Sequence, residues 1–357
     1  MTEAKYRVAI IGCGRMGQHY AEAYSAYPDT EIVAIAEHDP DRLQVVGERF
    51  GVKALYPDVD SLLRDVTPDV AAVITPTKFY KHAVIACAQA GVKGVSTDKP
   101  IAARLSDADE MIEACESRGV VHAGGNLMKC LDETQETAGR LRDGVYGEII
   151  GGAIHGFRRQ IVGGGCQSIL LAELLMDAEI EEVIAWGEPP EVLETNTDVG
   201  LSISGVFRMG NGLECNVYGM EVSRGYVDVW TEDTFIRGTN LPPEIYRGYD
   251  EKGARIRLEP DFQPYEWSQF GYLTGSIRSL LAAVDTGSTP RVTGRDLRKA
   301  LEVAIAAKQS VILRNAPVKL PLEDRSLTLY PTPHRWGGYD SVGNPQPLAD
   351  AAKPRFS

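Results

Sequence analysis

The sequence predicts an α/β protein with two unlike parts: an N-terminal doubly wound parallel sheet and a C-terminal α+β domain with an open, mostly antiparallel sheet. Strand-like and helix-like patterns alternate through residues 1–126, which is typical of parallel strands joined by crossover helices. Longer strands follow one another without helices after residue 148. A length of 357 residues also exceeds what one ordinary core holds.

The N-terminal region, residues 1–126, alternates regularly. Tyr6–Ile11 is a short apolar run that suits a strand buried on both faces. Asp39 is a suitable N-cap for a helix over Pro40–Phe50. The other predicted elements, in chain order, cover residues 15–27, 31–36, 61–66, 70–75, 80–90, 94–97, 108–118 and 120–123.

Residues 127–325 form the predicted second domain, and residues 326–357 an extended tail. A helix over Asp132–Arg142 ends near Gly144, which is a suitable residue for a helix end. The Asn211-Gly212 pair indicates a hairpin between two of the strands. Strands are predicted at residues 148–157, 201–209, 213–221, 226–232 and 254–258, and helices at 267–285 and 295–314.

Composition excludes several classes of function. The formal charge is −13, from 37 basic and 50 acidic side chains, which argues against nucleic-acid or anionic-membrane partners but not against an anionic substrate. No apolar run approaches the roughly 20 residues of a membrane span, and the N-terminus lacks signal-peptide features. Six scattered cysteines without a Cys-x-x-Cys pair predict neither a metal site nor disulfides, and favour the cytoplasm.

A glycine motif at the end of the first strand predicts a dinucleotide site in a Rossmann domain. Gly12 permits a tight turn, Gly14 lets the backbone approach a pyrophosphate, and Gly17 allows close helix–strand packing. The start of the following helix presents backbone N–H groups to the phosphates. The intervening residues of the motif are Cys13, Arg15 and Met16.

The residue at the end of the second strand predicts which dinucleotide binds. Glu37 stands 20 residues after Gly17, where a carboxylate accepts hydrogen bonds from the adenosine ribose. A carboxylate repels a 2′-phosphate, so NAD is favoured over NADP, although His38 softens this preference. Further residues expected beside the cofactor are Thr75, Pro76 and Thr77 after the fourth strand, and His82 in the next helix.

The order and spacing of several motifs resemble the Gfo/Idh/MocA oxidoreductase family. Residues 12–17 are followed by Thr75-Pro76, by Asp98-Lys99-Pro100, by the glycine turn 163–165 and by residues 290–300. The resemblance covers about residues 5–325. It implies hydride transfer between a nicotinamide and a carbinol carbon of a sugar, sugar acid or cyclitol.

The resemblance also implies a role for Lys99. In this family the lysine lies beside the nicotinamide and hydrogen-bonds the reacting hydroxyl, where an ammonium stabilises a developing alkoxide. The family motif is commonly Glu-Lys-Pro, and Asp98 replaces the glutamate here. Pro100 in this family is typically associated with a cis peptide bond.

The sequence departs from the family after the glycine turn, where relatives carry a catalytic histidine preceded by an aspartate. Ungapped alignment places Glu173 at the histidine position and Ile169 at the aspartate position, while Asp177 lies one residue from a later aspartate. Glu173 is one candidate base, and His155 or Asp177 is another. On a helix, Glu173 and Asp177 share a face, which is also the pattern of a solvated stripe with Glu181.

Further polar residues are candidates for substrate binding. Arg158 and Arg159 suit an anionic group of the substrate, or else are ordinary surface or subunit-contact arginines. Asn126 and Lys129 follow the last predicted strand of the first domain. Strand alternation places His155 and Phe157 on one face, where a structural role for the histidine is the alternative.

Three functions follow from the sequence. The first is an NAD-dependent dehydrogenase. The second is an NAD-dependent enzyme that cleaves a glycoside by transient oxidation, elimination and return of the hydride. The third is a non-catalytic NAD-binding regulator, which the retained Lys99 argues against. The resemblance further implies a homodimer or homotetramer assembled through the C-terminal sheet.

Overall fold

A computed structural model of the chain describes residues 5–125, 127–158, 160–188, 190–220, 226–239, 241–262 and 271–331. The first part of the chain alternates strands with helices, as predicted. Its strands are β1 (Tyr6–Ile11), β2 (Thr30–Ala36), β3 (Leu55–Tyr56), β4 (Val70–Val73), β5 (Gly94–Thr97) and β6 (Val121–Gly124). Its helices are α1 (Arg15–Ala26), α2 (Pro40–Phe50), α3 (Val59–Asp65), α4 (Tyr80–Gln89) and α5 (Leu105–Glu116), with a 3₁₀ turn at Thr77–Phe79.

These strands form one parallel sheet in the order β3-β2-β1-β4-β5-β6. The predicted doubly wound sheet is therefore confirmed. The strand order reverses between β1 and β4, and such a switch point is where this fold binds dinucleotides. Because all six strands are parallel, the loops that follow β1, β4 and β5 lie at the same edge of the sheet.

The second part of the chain forms a larger mixed sheet. Its strands are β7 (Ile149–His155), β8 (Ile180–Glu188), β9 (Ser202–Met209), β10 (Glu214–Tyr218), β11 (Val227–Thr231), β12 (Thr234–Gly238), β13 (Glu244–Tyr249), β14 (Arg255–Leu258) and β15 (Val318–Lys319). Its helices are α6 (Asp132–Arg142), α7 (Gly164–Leu175), α8 (Pro190–Leu193), α9 (Tyr272–Thr286) and α10 (Gly294–Ile312). The order is β14-β13-β12-β11-β7-β10-β9-β8-β15, and only β7 with β10 pairs in parallel within the described strands.

One face of this sheet is covered by helices and the other is open, as predicted. On the covered face, a Cβ at Gly152 of β7 would contact Met176 just after α7, and Ala185 of β8 donates its N–H to Ser310 of α10. Helix α7 is apolar on nearly every side, as expected of a helix buried within a core. On the open face, Trp186 and Tyr218 are 51% and 40% exposed.

Helix α9 returns to the first sheet although it lies late in the chain. Leu273, Ile277 and Leu280 pack in one cluster with Tyr20 of α1 and Val70 of β4. Near the end of the described chain, Leu329 donates its N–H to Ala103, and Tyr330 donates to Asn196. The predicted boundary near residue 126 remains a prediction, and the tail beyond residue 331 lies outside the described residues.

Several predicted bounds differ from the structure. Strand β8 is missing from the prediction because its sequence contains three glutamates, a residue type that is favourable in helices and depleted in strands. Val183 and Ala185 are buried in the core and stabilise the strand by tertiary packing. Strands β12 and β13 were also not predicted, and the helix expected from residue 267 is described only from Tyr272. Of the helices that the structure describes, none is long and apolar enough to cross a membrane.

Candidate cofactor and active site

The glycine loop after β1 has the geometry that a dinucleotide requires. Gly12 has φ of +93°, and a Cβ on it would stand 2.6 Å from the Ile74 carbonyl oxygen. A Cβ on Gly17 would overlap the Gly12 carbonyl oxygen. A Cβ on Gly14 would meet no described atom within 4 Å, which leaves space at the N-cap of α1 for phosphates. The loop thus fits the group that the fold implies.

The other residues of the motif occupy the start of α1. Arg15 and Met16 form the first turn of the helix, where the dipole favours an anion. The first turn carries no acidic side chain among the described residues. Cys13 is buried, which raises the pKa of its thiol, and its backbone N–H donates to Glu37 Oε2 at 2.7 Å. The glycine loop is therefore tied directly to the end of β2.

Glu37 is buried at that strand end. Its Oε1 accepts from the Asp39 N–H at 3.1 Å and lies 3.1 Å from Arg42 Nη1. The exposed His38 places Nδ1 2.7 Å from the same oxygen. Asp39 caps α2 by accepting from the Arg42 N–H, and this backbone hydrogen bond lowers the pKa of the Asp39 carboxyl. The predicted cap is confirmed.

The loop after β4 lies beside the glycine loop. Thr75 Cγ2 would be 3.0 Å from a Cβ on Gly12, and Thr77 begins the 3₁₀ turn after Pro76. His82 does not share this position. Its side chain is 66% exposed and its Nε2 stands 2.9 Å from Asp60 Oδ2 of α3. The structure thus pairs His82 with a neighbouring helix at the surface.

Lys99 is buried at the end of β5, two strands from the glycine loop. It is 6% exposed, and its Nζ stands 3.3 Å from Asp98 Oδ1. The same oxygen accepts the Lys99 N–H at 2.7 Å. The Lys99-Pro100 peptide is cis, as the resemblance implies. Two strand spacings place this end roughly 10 Å from the glycine loop.

Buried groups that the sequence did not single out support this end of the sheet. A Cβ on Gly125 would overlap the Tyr20 hydroxyl of α1. Burial, and next the Asp98 charge, raise the pKa of Tyr20 well above its usual value. His122 Nε2 stands 3.2 Å from Thr97 Oγ1, and burial lowers the pKa of His122 to about 4. Sequence reasoning did not find Tyr20 and His122 because their contacts join segments that are distant in the chain.

Glu173 connects α7 to the rest of the second domain. Its Oε1 accepts the Ile180 N–H at 2.9 Å at the start of β8 and lies 3.6 Å from Lys299 Nζ of α10. Burial raises the pKa of Glu173, and the Lys299 charge acts in the opposite direction. Both partners are protein groups, so the described contacts favour a structural role for Glu173.

Asp177 does not share the face of Glu173. Helix α7 ends at Leu175, and Asp177 has φ of +51° in the following turn. Its side chain is 56% exposed and stands 3.8 Å from Arg142. The expectation of one helical face, and of a stripe with Glu181, is therefore wrong, because Glu181 lies in β8.

His155 is paired on the sheet. Its Nε2 stands 3.0 Å from Asp228 Oδ2, and its ring stacks on Tyr218 with centroids 5.6 Å apart. By alternation from Gly152, whose position faces the end of α7, His155 lies on the opposite face. Strand β7 ends at His155 and Gly156 has φ of +69°. The expected alternation therefore does not reach Phe157, which packs edge-on against Phe207 in the core.

Two of the remaining predicted residues, Arg158 and Lys129, are among those that the structure describes. Arg158 is exposed and forms an isolated bridge with Ser202. Lys129 Nζ stands 3.3 Å from Asp296 of α10. Asn126 and Arg159 lie outside the described residues.

Two other side chains, not found by sequence reasoning, fix this segment. Asp198 is fully buried and accepts the Val162 N–H at 3.2 Å just before the glycine turn. Gln167 of α7 accepts the Met128 N–H at 3.0 Å and so joins α7 to the segment after β6. Helix α7 is therefore anchored to both parts of the chain.

The fold and this site are typical of one class of protein: oxidoreductases with a dinucleotide site at a Rossmann sheet and a second, open-sheet domain. Residues 6–125 match the model of the oxidoreductase family with an NAD-binding Rossmann fold, the Gfo/Idh/MocA family. This first part of the chain is therefore a Gfo/Idh/MocA NAD-binding domain. The resemblance read from the motifs is thereby confirmed.

Relatives of known activity differ in how much they share. Myo-inositol 2-dehydrogenase of Thermotoga maritima is 28% identical over 338 residues, covering 85% of this chain and 96% of that protein. D-apiose dehydrogenase of Paraburkholderia graminis is 31% identical over 153 residues, covering 43% of this chain. In that match the chain spans only 40% of the relative's length.

A solved structure shows the same fold. The aldose-aldose oxidoreductase of Caulobacter crescentus superposes with a TM-score of 0.73 at 22% identity, covering 88% of this chain and all of that one. At this identity the likeness shows the fold, including the second sheet.

Proposed function

We propose that this protein is an NAD-dependent dehydrogenase that acts on a carbinol carbon of a sugar, sugar acid or cyclitol. The observation that carries the proposal is the buried Lys99, held beside Asp98 at the same sheet edge as the glycine loop. A buried ammonium at a ligand-binding edge has a functional reason more often than a surface lysine does.

The residues at this edge suit distinct parts of the reaction. A bound NAD would supply the hydride acceptor for the substrate carbon. Lys99 would donate a hydrogen bond to the substrate hydroxyl and stabilise negative charge on its oxygen, while Asp98 holds the ammonium in place. Gly12, Gly14 and Gly17 would accommodate the pyrophosphate, and Thr75 to Thr77 would border it.

The proposal favours Lys99 over the other candidates as the group that meets the alcohol. Glu173 is engaged by Ile180 and Lys299, His155 by Asp228, and Asp177 by Arg142. Lys99, in contrast, directly follows β5 and so lies at the edge of the parallel sheet where this fold binds dinucleotides. Arg158 is the described candidate for an anionic group on the substrate.

The names of relatives support the substrate class. They include inositol, apiose and glucoside dehydrogenases, which act on sugars or cyclitols. For the cofactor, Glu37 at the end of β2 supports NAD rather than NADP, since a carboxylate repels a 2′-phosphate.

A panel of cyclitols, aldoses and aldonates, screened by NADH absorbance, tests the proposal. We expect turnover of at least one member, and a loss of about 10²–10³-fold in kcat in Lys99→Met with NAD affinity retained. Lys93→Met is the matched control, because Lys93 is an exposed lysine paired with Asp69 at the start of the same strand. A wild-type protein that binds no dinucleotide at millimolar concentration would contradict the proposal.

A second candidate is the redox-neutral cleavage of a glycoside or anhydrosugar. Ile169 and the engaged Glu173 replace the family's aspartate and histidine, which removes the usual proton acceptor. A 2,7-anhydro-N-acetylneuraminate hydratase of Mediterraneibacter gnavus is 30% identical over 142 residues. Product formed without lasting NADH absorbance, together with solvent deuterium at the carbon beside the transient ketone, would favour this candidate.

The open face of the second sheet supports assembly into an oligomer, and the cysteines support a cytoplasmic location. Trp186 and Tyr218 expose apolar surface on that face, which suits assembly into a homodimer or homotetramer. All six cysteines are buried free thiols, which suits the reducing cytoplasm. Light scattering of wild type and Trp186→Asp tests the assembly, and a monomer in both would contradict it.

A further inference from the structure

A buried cation stands at the adenosine end of the dinucleotide site, and the proposed function does not yet use it. Arg42, in the first turn of α2, is 2% exposed. Its Nη1 is 3.1 Å from Glu37 Oε1, and its Nη2 is 2.9 Å from Asp39 Oδ2. A desolvated guanidinium is costly unless it is paired, so this geometry keeps the three groups together.

The carboxylate of Glu37 is held from two further directions. Oε2 accepts the Cys13 N–H of the glycine loop at 2.7 Å, and Oε1 accepts the Asp39 N–H at 3.1 Å. Donors on both oxygens fix the plane of the carboxylate. Glu37 thus connects the glycine loop, through one oxygen, with α2, through the other.

A surface side chain also contacts one oxygen of Glu37. The His38 ring, whose side chain is 79% exposed, places Nδ1 2.7 Å from Oε1. An exposed donor can move away without disturbing the core, whereas the buried Arg42 cannot. If His38 moved away, Oε1 could accept a hydrogen bond from another donor on the surface side, while Arg42 would stay in contact with it on the buried side.

We propose that Arg42 is a positioning residue for dinucleotide recognition, which orients Glu37 toward the adenosine ribose and so sets the preference for NAD over NADP. The inference rests on the proposed function. Glu37, Asp39 and Arg42 together carry one net negative charge, so the unit accepts hydrogen bonds from ribose hydroxyls and repels a 2′-phosphate. Without Arg42, the two neighbouring carboxylates would repel each other, and only the Cys13 and Asp39 N–H groups would hold Glu37.

Calorimetric titration of the full chain with ADP-ribose and with 2′-phospho-ADP-ribose tests this role without substrate or turnover. We expect Arg42→Met to weaken ADP-ribose binding about tenfold or more and to narrow its preference over the phosphorylated ligand. Arg42→Lys keeps the charge but not the two-carboxylate geometry, and we expect an intermediate affinity. Arg49→Met is the matched control on the same helix, where Arg49 pairs with Glu22 at 3.8 Å, and we expect wild-type affinity.

A double-variant comparison separates positioning from a general structural effect. If Arg42 acts through Glu37, Arg42→Met adds little loss once Glu37→Gln is present, because the same contact is already removed. Additive losses, or wild-type affinity and selectivity in Arg42→Met, would overturn the inference and leave the proposed function intact. A wild-type chain that binds neither ligand would overturn both. If Arg42→Met does not fold, Arg42→Lys alone and with Glu37→Gln carries the same comparison.

Discussion

Two glycine-rich helix starts, those of α1 and α7, look alike in sequence and differ in their physical cause. At α1, the backbone itself excludes side chains: Gly12 has positive φ, and a Cβ on Gly17 would overlap the Gly12 carbonyl. At α7, a Cβ on Gly164 would have ordinary room, and one on Gly165 would meet the Phe157 ring at 2.5 Å. The first motif is determined by local backbone geometry, and the second by a side chain from another segment.

The largest expected effect comes from adding a methyl group at Gly17 of α1, compared with the same change at Gly164 of α7. Gly17→Ala would push α1 away from the glycine loop; we expect a stability loss of about 3 kcal/mol and about a hundredfold weaker NAD binding. Gly164→Ala places the same methyl group in the first turn of α7, where the nearest atom is Gln160 Cβ at 3.8 Å. We expect that control to remain within about 0.5 kcal/mol of wild type. Denaturant unfolding and calorimetry measure both, and equal effects at the two sites would contradict the distinction.

The same difference explains how far the sequence predicts this molecule. Most strands and helices up to β6, the glycine loop and the Asp39 cap follow from local patterns, and the structure agrees with them; the two-residue strand β3 was not predicted. The contacts of α7 do not follow from local patterns. Glu173 contacts Ile180 and Lys299, and these contacts depend on how β8 and α10 pack. The contacts of Arg42 do not follow from local patterns either, because they depend on how the start of α2 packs against the end of β2.

A second prediction concerns His122 of β6, which contacts Thr97 at the end of β5 in the first sheet. Its pKa falls from about 6.5 in the unfolded chain to about 4 in the folded protein, because burial disfavours the charged ring. The folded state therefore binds fewer protons, and its stability is full above pH 6.5 and declines as pH falls toward 4. The full effect is about 3 kcal/mol.

Unfolding by denaturant between pH 7 and pH 4 checks this prediction. His122→Gln removes the titrating group and keeps a donor toward Thr97, so its stability should change less with pH than that of wild type. Parallel curves for the two proteins would show that His122 does not contribute to the acid loss.

A third prediction concerns Glu173 of α7 and distinguishes a structural role from that of a general base. In Glu173→Ala, the buried Ile180 N–H and the Lys299 ammonium lose a partner, which should cost about 2 kcal/mol of stability. Burial raises the pKa of Glu173 in the folded state, so its favourable contribution is greatest at acid pH and is lost as pH rises through that raised pKa. Glu173→Gln should therefore gain stability relative to wild type on going from pH 4 to pH 7.

Kinetics of the same variants decide between the two roles. If Glu173 has a structural role, Glu173→Gln retains kcat within a few-fold. A fall of kcat by about 10²-fold or more, with a changed pH profile and unchanged stability, would instead make it a general base.

The smallest expected effect is at Asp177, just beyond the end of α7. Its φ of +51° suits Asn as well as Asp, and its carboxylate makes only an exposed 3.8 Å pair with Arg142 among the described contacts. Asp177→Asn should change stability by less than about 0.5 kcal/mol and leave kcat unchanged. Asp177→Val, which tolerates positive φ poorly, should cost about 1 kcal/mol or more and still leave kcat unchanged. A loss of kcat in the asparagine variant, whose backbone is undisturbed, would place the carboxylate itself in the chemistry and show that this turn comes closer to the substrate than its exposure indicates.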